Sequence, residues 1–275
     1  MNNSITLTPQ QLRCVQLTQL ELLCEVRRIC EKNNIKYNII AGTLLGAVRH
    51  KGYIPWDDDA DIAMLRPEYE RFRQVCKTEL NLEKYYFQDH TVTFGYRWGY
   101  GKLRMAGTEF LRNGQEHMPY EQGIFIDIFP LDNVPDGKIS RRLHNFHCFL
   151  IRKVLWSEAG KVTDRNRFLR FIYGLLAIIQ LKAVLRHYES FMRKHNAVQS
   201  QWVRILTFPT PNKAHGYLRR WYENRADYEF ESEWFKGIAD HDEYLTFKFG
   251  NWRELPSIEK RKTHPVSRLK FLESR

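Results

Sequence analysis

The sequence contains no long hydrophobic run. Its longest apolar stretch, residues 171–181, spans 11 positions and includes Gly174 and Gln180, whereas a helix needs about 20 apolar residues to cross a bilayer. A basic segment followed by an apolar one is also missing from the start, so we expect no secretory signal. We therefore expect a cytoplasmic protein, with at most peripheral contact at the cytoplasmic face of the membrane.

Cysteine is scarce, and its spacing carries no motif. The chain has five cysteines in 275 residues and no Cys-x-x-Cys pair, which argues against zinc ligation and against a disulfide framework. We expect free thiols in a reducing compartment. The sequence also lacks a motif for a nucleophilic serine or cysteine, an internal repeat and a low-complexity segment. Covalent catalysis is therefore not indicated.

Positive charge is concentrated in the middle third of the chain. Residues 138–195 carry 13 Lys and Arg against three acidic residues, so they supply +10 of the total net charge of +11. This excess predicts an acidic partner, which could be nucleic acid, anionic lipid or a phosphorylated substrate. Residues 168–185 are apolar almost all round and are accompanied by Arg165, Arg167, Arg170, Lys182 and Arg186. We favour a buried bundle helix there; a helix lying among lipid headgroups is the alternative.

Acidic residues cluster in the segment 42–65, around which the chain is organised. Asp57 and Asp58 follow a Pro-Trp turn and are interpreted as solvated turn residues. Asp59 and Asp61 instead lead into a short apolar run that predicts a buried strand. Alternate residues of a strand point to the same face about 6.6 Å apart, and Mg²⁺ prefers oxygen ligands. Asp59 and Asp61 are therefore candidate ligands of a divalent cation.

A small turn, Gly42-Thr43, precedes these aspartates and opens a predicted helix that ends near Arg49. Helix N-termini bind phosphate through free N–H groups and the helix dipole. Gly42 would let the backbone approach a phosphate closely, and Thr43 would add a hydroxyl contact. At the other end of the helix, Arg49 and His50 are candidates for phosphate contacts, with a solvated face as the alternative.

Two further cations and one carboxylate lie in later predicted strands. Lys102 and Arg104 alternate with apolar residues in the strand 100–105, so both point to one face. That face either contacts phosphates over the site or is simply exposed. Asp127 interrupts the apolar strand 124–129, which contains no Lys or Arg to pair with it. The nearest sensible partner is the cation held by the aspartates, so we expect Asp127 to point to the same side as Asp59 and Asp61.

The stretch GTLLGAVRHKGYIPWDDDADIAML, residues 42–65, resembles the LicD family of phosphotransferases. Its Gly42-Thr43 turn and Asp59-Ala60-Asp61 strand match the first family block, and GIFIDIFPLD at 123–132 matches the second. Residues 244–264 resemble the closing segment more weakly. The resemblance covers residues 15–133 and 240–265. It implies an α+β fold of the nucleotidyltransferase (DNA polymerase beta-like) type, with a mixed sheet flanked by helices, and here also a basic helical subdomain.

The resemblance also implies a reaction. LicD proteins transfer a phospho-substituted alcohol, typically phosphocholine from CDP-choline, to a sugar of a cell-surface glycan or lipid-linked precursor. Asp59, Asp61 and Asp127 would hold Mg²⁺ or Mn²⁺ and form the catalytic set, with Asp127 a candidate acceptor of the sugar hydroxyl proton. Gly42 and Thr43 would seat the donor phosphates.

Two other functions remain open. A nucleotidyltransferase acting on RNA or protein would use the same carboxylates, although nucleic acid is not expected because no RNA-binding motif is present. A non-catalytic membrane-associated scaffold would explain the basic helices and leave the aspartates without a role.

The same patterns predict the organisation of the chain. We expect a catalytic core at 1–135, the basic helical subdomain at 136–230, and a C-terminal segment at 231–275 that packs back on the core. The first helix should begin at Pro9 behind an N-capping Thr8, end near Asn33, and serve only as scaffold. Strands are predicted at 35–41, 60–65, 85–88 and 91–96 in addition to those above, with a mobile loop at 107–123 and a linker at 132–140.

Overall fold

A computed structural model of the chain describes residues 4–210, 212–261 and 263–272. The elements follow in chain order: α1 (Pro9–Lys32), β1 (Asn38–Ile39), α2 (Ala41–His50), β2 (Asp61–Leu65), α3 (Arg66–Glu79), β3 (Tyr85–Gln88), β4 (Gly101–Met105), β5 (Glu109–Arg112), β6 (Phe125–Val134), α4 (Lys138–Thr163), α5 (Arg167–Ala177), α6 (Leu181–Asn196), β7 (Trp202–Arg204), β8 (Tyr217–Leu218), α7 (Arg219–Glu223), β9 (Arg225–Phe230), β10 (Glu233–Ile238), α8 (His241–Phe249) and β11 (Val266–Lys270).

The first helix begins and ends where its capping residues predict. The backbone N–H of Gln11 donates to Thr8 Oγ1 at 3.2 Å, and that of Thr8 donates to Gln11 Oε1 at 2.9 Å. This reciprocal capping box satisfies two N–H groups that the helix itself leaves unpaired. Pro9 occupies the first turn and Asn33 the C-cap. The predicted extent of α1 is confirmed.

A mixed sheet forms the centre of the molecule, in the strand order β3-β4-β6-β2-β1-β10-β9. The pairs β2–β6 and β1–β10 are parallel, and the remaining neighbours along this order are antiparallel. A branch is added by β7, which pairs with β6 and with β8, while β5 and β11 form a separate ribbon. Helices α1 and α3 contact β6 and each other. The α+β class and the helix-flanked mixed sheet are confirmed.

Two predicted strands differ in the structure. The segment 35–41 contributes only Asn38–Ile39, because the chain turns into α2 at Ala41, which adopts a φ of 51°. The strand predicted at 91–96 is wrong. There the Asp89 carboxylate accepts the backbone N–H groups of Thr91 at 2.7 Å and Val92 at 3.1 Å. A side chain that bonds its own following backbone stabilises a turn in place of an extended strand.

Two segments expected to be irregular are more ordered than predicted. The loop at 107–123 contains β5, whose partner β11 lies more than 150 positions later in the chain. The linker at 132–140 is shortened because β6 continues to Val134 and pairs there with β7. In both places the strand is stabilised by a partner distant in sequence, which local composition does not reveal.

The helical middle of the chain is arranged differently from the favoured prediction. Only Tyr173 of α5 is buried among the described side chains, while Phe168 is 67% exposed and Phe171 is 62% exposed. The buried-helix interpretation of this segment is therefore wrong. Within the described residues, no single helix is long and apolar enough to cross a bilayer; α5 and α6 reach that composition only together, across a bend of 84°.

The later parts of the chain contact the central sheet. Strands β7 and β9, from the predicted 136–230 subdomain, pair with β6 and β10. The C-terminal segment contributes β10 to the sheet, Tyr244 and Leu245 to the main core, and β11 to the ribbon. The domain boundaries at 135 and 230 stay a prediction.

A buried ion pair joins the core to the helical region. Asp132 of β6 is fully buried and accepts from Arg66 at 2.7 Å through both of its oxygens. Arg66 also donates to the hydroxyl of Tyr188 on α6 at 3.1 Å, and Asn196 donates to Asp132 at 2.6 Å. This network fixes α6 against β6, the strand that carries the second family block.

Replacing Asp132 by Ala should lower the free energy of unfolding by about 3–5 kcal/mol, because buried Arg66 loses its bidentate partner and keeps only Glu70 as a counter-charge, at 3.2 Å. Urea denaturation followed by circular dichroism measures the change. The matched control is Asp227→Ala, which removes a half-exposed partner of Lys236 and should change stability by less than about 1 kcal/mol. Equal effects of the two substitutions would contradict the assigned role of the network.

Candidate active site

Asp61 and Asp127 lie side by side on parallel neighbouring strands. They are register partners of β2 and β6, and the N–H of Asp127 donates to the carbonyl of Ala60 at 2.9 Å. Residues paired in register point to the same side of a sheet. Asp127 therefore lies on the same side of the sheet as Asp61, and it lines one cavity together with Asp59.

Lys102 occupies the position next to Asp127 on the other neighbouring strand. The two residues are register partners of β4 and β6, and Lys102 Nζ donates to Asp127 Oδ1. The ammonium also lies 3.4 Å from the centre of the Phe125 ring. Burial lowers the pKa of Lys102 to about 8, although Asp127 opposes the shift. The adjacent strand therefore supplies Asp127 with a lysine partner that the pattern of its own strand did not indicate, and a metal as a further partner stays a prediction.

Arg104 is buried on the same strand as Lys102. Its Nε donates to Gln88 Oε1 and its Nη1 to the carbonyl of Gly123, both at 2.6 Å. The interpretation of this strand as an exposed face is therefore wrong. Both cations line the cavity described below, as the alternative interpretation required.

Asp57, Asp59 and Asp61 form a crowded acidic group in front of β2. The pKa of each is raised, chiefly by burial, and the raised pKa of Asp61 has the neighbouring charges of Asp59 and Asp127 as further causes. A Cβ atom on Gly42 would lie 2.7 Å from Asp57 Oδ2. Glycine is thus required here for the carboxylate to approach the start of α2. The interpretation of Asp57 as a solvated turn residue is wrong.

Asp58 has a different role, although it lies between two members of that group. It is fully buried and accepts from Arg112 at 2.5 Å and from His264 Nδ1 at 2.8 Å. These two partners lower the pKa of Asp58 to about 2 against the opposing effect of burial. The interpretation of Asp58 as solvated is wrong: it anchors β5 and the segment before β11 beside the acidic group.

Two glutamines of α1 bind the backbone of the loop that carries Asp57 and Asp58. Gln16 donates to the carbonyl of Asp57 at 2.9 Å, and Gln19 donates to the carbonyls of Asp58 at 3.0 Å and Phe125 at 3.1 Å. Gln19 is fully buried. Its signal was present in the sequence, because it interrupts the apolar stripe of α1 at a position where a hydrophobic residue is expected. The scaffold helix therefore also positions the site.

Gly42 and Thr43 begin α2 next to the acidic group. Thr43 is buried, and its Oγ1 accepts the backbone N–H of Asp61 at 2.8 Å. This bond ties the N-terminal turn of α2 to the start of β2. The hydroxyl hydrogen of Thr43 stays available as a donor.

Arg49 and His50 lie at the far end of α2. Arg49 Nη1 donates to the carbonyl of Trp252 at 2.8 Å, and its Nε donates to His50 Nε2 at 3.0 Å. Burial and the charge of Arg261 lower the pKa of Arg49. The structure uses these side chains to hold the segment after α8, and neither lines the cavity. Their proposed phosphate contacts stay a prediction.

Lys248 of α8 is a further cation near the acidic group, and no pattern in the sequence pointed to it. Its pKa is raised, against the effect of burial, by the tyrosines Tyr244 and Tyr217 and by the charge of Asp61. The charge of Lys248 in turn lowers the cost of ionising Asp61.

A cavity of about 490 Å³ opens in front of these residues. Asp59, Asp127 and His264 lie on its acidic side. Its cationic lining comprises Lys102, Arg104, Arg112 and Arg165, and its aromatic lining includes Trp98, Tyr100, Trp156 and Phe208. The same four aromatic residues line an adjoining space of about 340 Å³. The site thus presents acidic, cationic and aromatic surfaces to one open cavity.

The chemistry of the acidic group suits a hard cation, because carboxylate oxygens are the ligands that Mg²⁺ takes. The charge of Asp59 helps to raise the pKa of Asp61, because two nearby carboxylates repel each other when both are ionised. A cation bound between them would remove that repulsion. Within the described residues, however, no three His, Cys, Asp or Glu side chains already converge as a ligand set. Asp127 is held by Lys102 in this arrangement.

Comparison with known proteins identifies the family. The family model described as "LicD/FKTN/FKRP, nucleotidyltransferase domain" matches residues 34–147. The chain is 30% identical over 270 residues to the lipopolysaccharide cholinephosphotransferase LicD of Haemophilus influenzae, covering 95% of this chain and 97% of that protein. The chain belongs to the LicD family. The resemblance inferred from the Asp59-Ala60-Asp61 block is confirmed, and so is the expectation of a LicD-like phosphotransferase.

Shorter matches occur with two proteins named only as uncharacterized. One from Rickettsia typhi is 48% identical over 59 residues, which are 22% of this chain and 19% of that protein. One from Rickettsia prowazekii is 46% identical over 59 residues, 22% of each chain. Because the chain belongs to a family of phosphotransferases, the alternative of a non-catalytic scaffold is not supported.

Neutralising neighbouring aspartates should change stability in opposite directions. Asp61→Asn removes a carboxylate that burial and like charges disfavour, so the melting temperature in a chelating buffer should stay unchanged or rise. Asp58→Asn removes the charge that Arg112 and His264 share, and should lower the free energy of unfolding by about 1–3 kcal/mol. Thermal denaturation of both variants is the measurement. A parallel decrease in both would show that Asp61 is as well stabilised as Asp58.

Proposed function

We propose that this LicD protein transfers phosphocholine from a nucleotide-linked donor of the CDP-choline type to a sugar of a cell-surface glycan or lipid-linked precursor. The Haemophilus influenzae relative, which is named a lipopolysaccharide cholinephosphotransferase, supports this head group because the similarity spans nearly the whole of both chains. The parallel β2–β6 pair with its aspartates, and the family description, support a fold of the nucleotidyltransferase type.

The observation that carries the proposal is the pairing of cationic and aromatic surfaces in one cavity. Lys102, Arg104 and Arg112 would bind the donor phosphates. Trp98 and Trp156, whose ring centres are 5.7 Å apart, would contact the trimethylammonium group. A quaternary ammonium is attracted to the faces of aromatic rings and cannot donate hydrogen bonds to carboxylates. Phosphocholine carries one group suited to each surface.

Asp59 and Asp61 are the proposed holders of Mg²⁺ or Mn²⁺, with Asp57 at hand beside Gly42. When bound there, the ion would neutralise negative charge on the donor diphosphate and on the departing nucleotide. The chain itself contributes positioning. The backbone N–H groups at the start of α2 face the same acidic group and would seat phosphate oxygens, with the Thr43 hydroxyl as an added donor.

Asp127 is the proposed acceptor of the proton from the attacking sugar hydroxyl. The bond from that oxygen to phosphorus forms as the bond from phosphorus to the nucleotide's phosphate oxygen breaks. The pairing with Lys102 fixes one oxygen of Asp127, which leaves the other to face the cavity that Asp127 lines. Phosphoryl transfer depends on such positioning and on charge neutralisation more than on a covalent nucleophile.

A nucleotidyltransferase that modifies RNA or protein is the second candidate. It would use the same acidic group, and the basic helical region would then bind the polymer. The exposed side chains of α5 are largely apolar, and this favours a different partner for that region.

Asp59→Asn and Asp61→Asn should each reduce transfer more than tenfold, because each removes a proposed metal ligand from the donor site. Purified protein is incubated with CDP-choline, CTP or ATP, each with and without Mg²⁺, and nucleotide release is measured. Asp227→Asn is the acidic control, because Asp227 is about half exposed and does not line the cavity. Nucleotide incorporation from CTP or ATP into RNA or protein, without CMP release from CDP-choline, would support the second candidate instead.

Trp98→Leu should weaken the preference for a quaternary head group. An aromatic contact with a cation contributes about 0.5–2 kcal/mol, so the ratio of kcat/KM for CDP-choline over CDP-ethanolamine should fall about 2- to 30-fold. Trp98→Phe keeps an aromatic face and should retain most of the ratio. An unchanged ratio in Trp98→Leu would remove choline recognition from this surface while leaving the acidic group and its reaction untouched.

A further inference from the structure

The outer surface of the helical region is unusually apolar. Ile139, Leu143, Phe146 and Leu150 recur along α4 at spacings of four, three and four residues, so they form one stripe. All four are exposed, with Ile139 80% accessible. The side of α4 that packs against α6 is a different one, formed by residues such as Cys148. The stripe is therefore not needed to hold the helices together.

A second stripe lies on α5 and at its end. Phe168, Phe171, Leu175 and Ile178 recur at spacings of three, four and three residues and are all exposed, Ile178 at 76%. They lie on the side of the helix opposite Tyr173, the residue that packs on α4. This stripe therefore faces away from the protein.

The two stripes belong to one surface. Lys153 continues the α4 stripe three residues beyond Leu150, and its Nζ donates to the hydroxyl of Tyr173 at 2.7 Å. A Cβ atom on Gly160 would lie 2.7 Å from the Tyr173 ring, so α5 sits directly on the second half of α4. Helix α5 thus covers the part of α4 on which the first stripe would continue. The stripe of α5 itself is exposed to solvent there instead. We call the two stripes together the apolar face.

Exposed cations accompany the apolar face. Arg167, Arg170, Lys182 and Arg186 are exposed and form no ion pair with a carboxylate in the described part of the chain. The surrounding residues 138–195 contain 13 cations and three acids. A second copy of the chain would bring the same positive surface against itself, and like charges facing each other oppose such a dimer.

We propose that the apolar face docks on an anionic lipid bilayer, with α5 lying in the headgroup layer and its cations beside lipid phosphates. Amphipathic helices with aromatic and aliphatic residues on one side and Lys or Arg beside them bind membrane interfaces in this way. The cavity opens at the same helices, since Trp156 and Thr163 of α4 and Arg165 before α5 contribute to its lining. Docking therefore brings the cavity mouth to the membrane surface.

Co-sedimentation of the full chain with vesicles tests the proposal. The probes are vesicles of phosphatidylcholine alone and of equal parts phosphatidylcholine and phosphatidylglycerol. Binding should be strong only with the anionic mixture and should fall steeply as salt is raised. Arg167→Gln with Lys182→Gln should weaken that binding about 30-fold. Phe171→Ser with Ile178→Ser should weaken it more than tenfold.

Matched pairs elsewhere on the surface control for nonspecific effects. Leu82→Ser with Trp234→Ser removes exposed apolar residues of comparable accessibility, and Lys36→Gln with Lys77→Gln removes two exposed cations. Both pairs should bind vesicles as the unaltered chain does. All replaced side chains are exposed, and thermal denaturation shows whether each variant is folded. If Phe171→Ser with Ile178→Ser unfolds, the result for Arg167→Gln with Lys182→Gln decides the test.

Two results would overturn the proposal. One is equal sedimentation with neutral and anionic vesicles. The other is a dimer in light scattering that Phe171→Ser with Ile178→Ser dissociates, since the apolar face would then be covered by a second copy. Both readouts are independent of transfer activity, so they do not depend on the proposed function.

Discussion

The mutual repulsion of carboxylates in a confined space is the constraint on which the site depends. Asp57, Asp59 and Asp61 are brought together beside Asp127 by the parallel pairing of β2 and β6. The pKa values of Asp57, Asp59 and Asp61 are raised, chiefly by burial and further by the charges of nearby aspartates. A group of this kind is stable only if the fold around it is rigid and if cations stand close by. The surrounding architecture meets both conditions.

Rigidity comes from contacts to the backbone of the acidic loop and to the one aspartate that faces inward. Gln16 and Gln19 bind loop carbonyls from α1, and Thr43 binds the N–H of Asp61 from α2. Asp58 is paired with Arg112 and His264, and its pKa is lowered while those of its neighbours are raised. Asp58 thus anchors the structure, whereas its neighbours Asp57, Asp59 and Asp61 form the acidic group of the candidate site.

The positive charges of the protein fall into two populations. Buried cations such as Lys102 and Arg104 face the acidic group and the cavity, where their separation from water strengthens their interaction with phosphate. Exposed cations such as Arg167 and Lys182 lie beside the apolar face. Salt and solvent weaken the interaction of each one with a negative charge, so several must act together to attract an anionic surface. Helix α4 links the two, since Trp156 lines the cavity and Ile139 belongs to the exposed stripe.

Local patterns in the sequence determined the start and end of α1, the helix after Gly42, the strands β2, β3, β4 and β6, and the placing of Asp59 and Asp61 at the start of β2. These features depend on capping, periodicity and spacing, which neighbouring residues encode. Tertiary structure alone decided which partner each charged residue receives. Lys102 pairs with Asp127 because β4 lies beside β6, Asp58 is buried because β5 and β11 meet over it, and α5 is exposed because α4 and α6 form their core without it. Such outcomes depend on which elements become neighbours in space, and a charge or an apolar run has the same local sequence whether it is covered or left facing solvent.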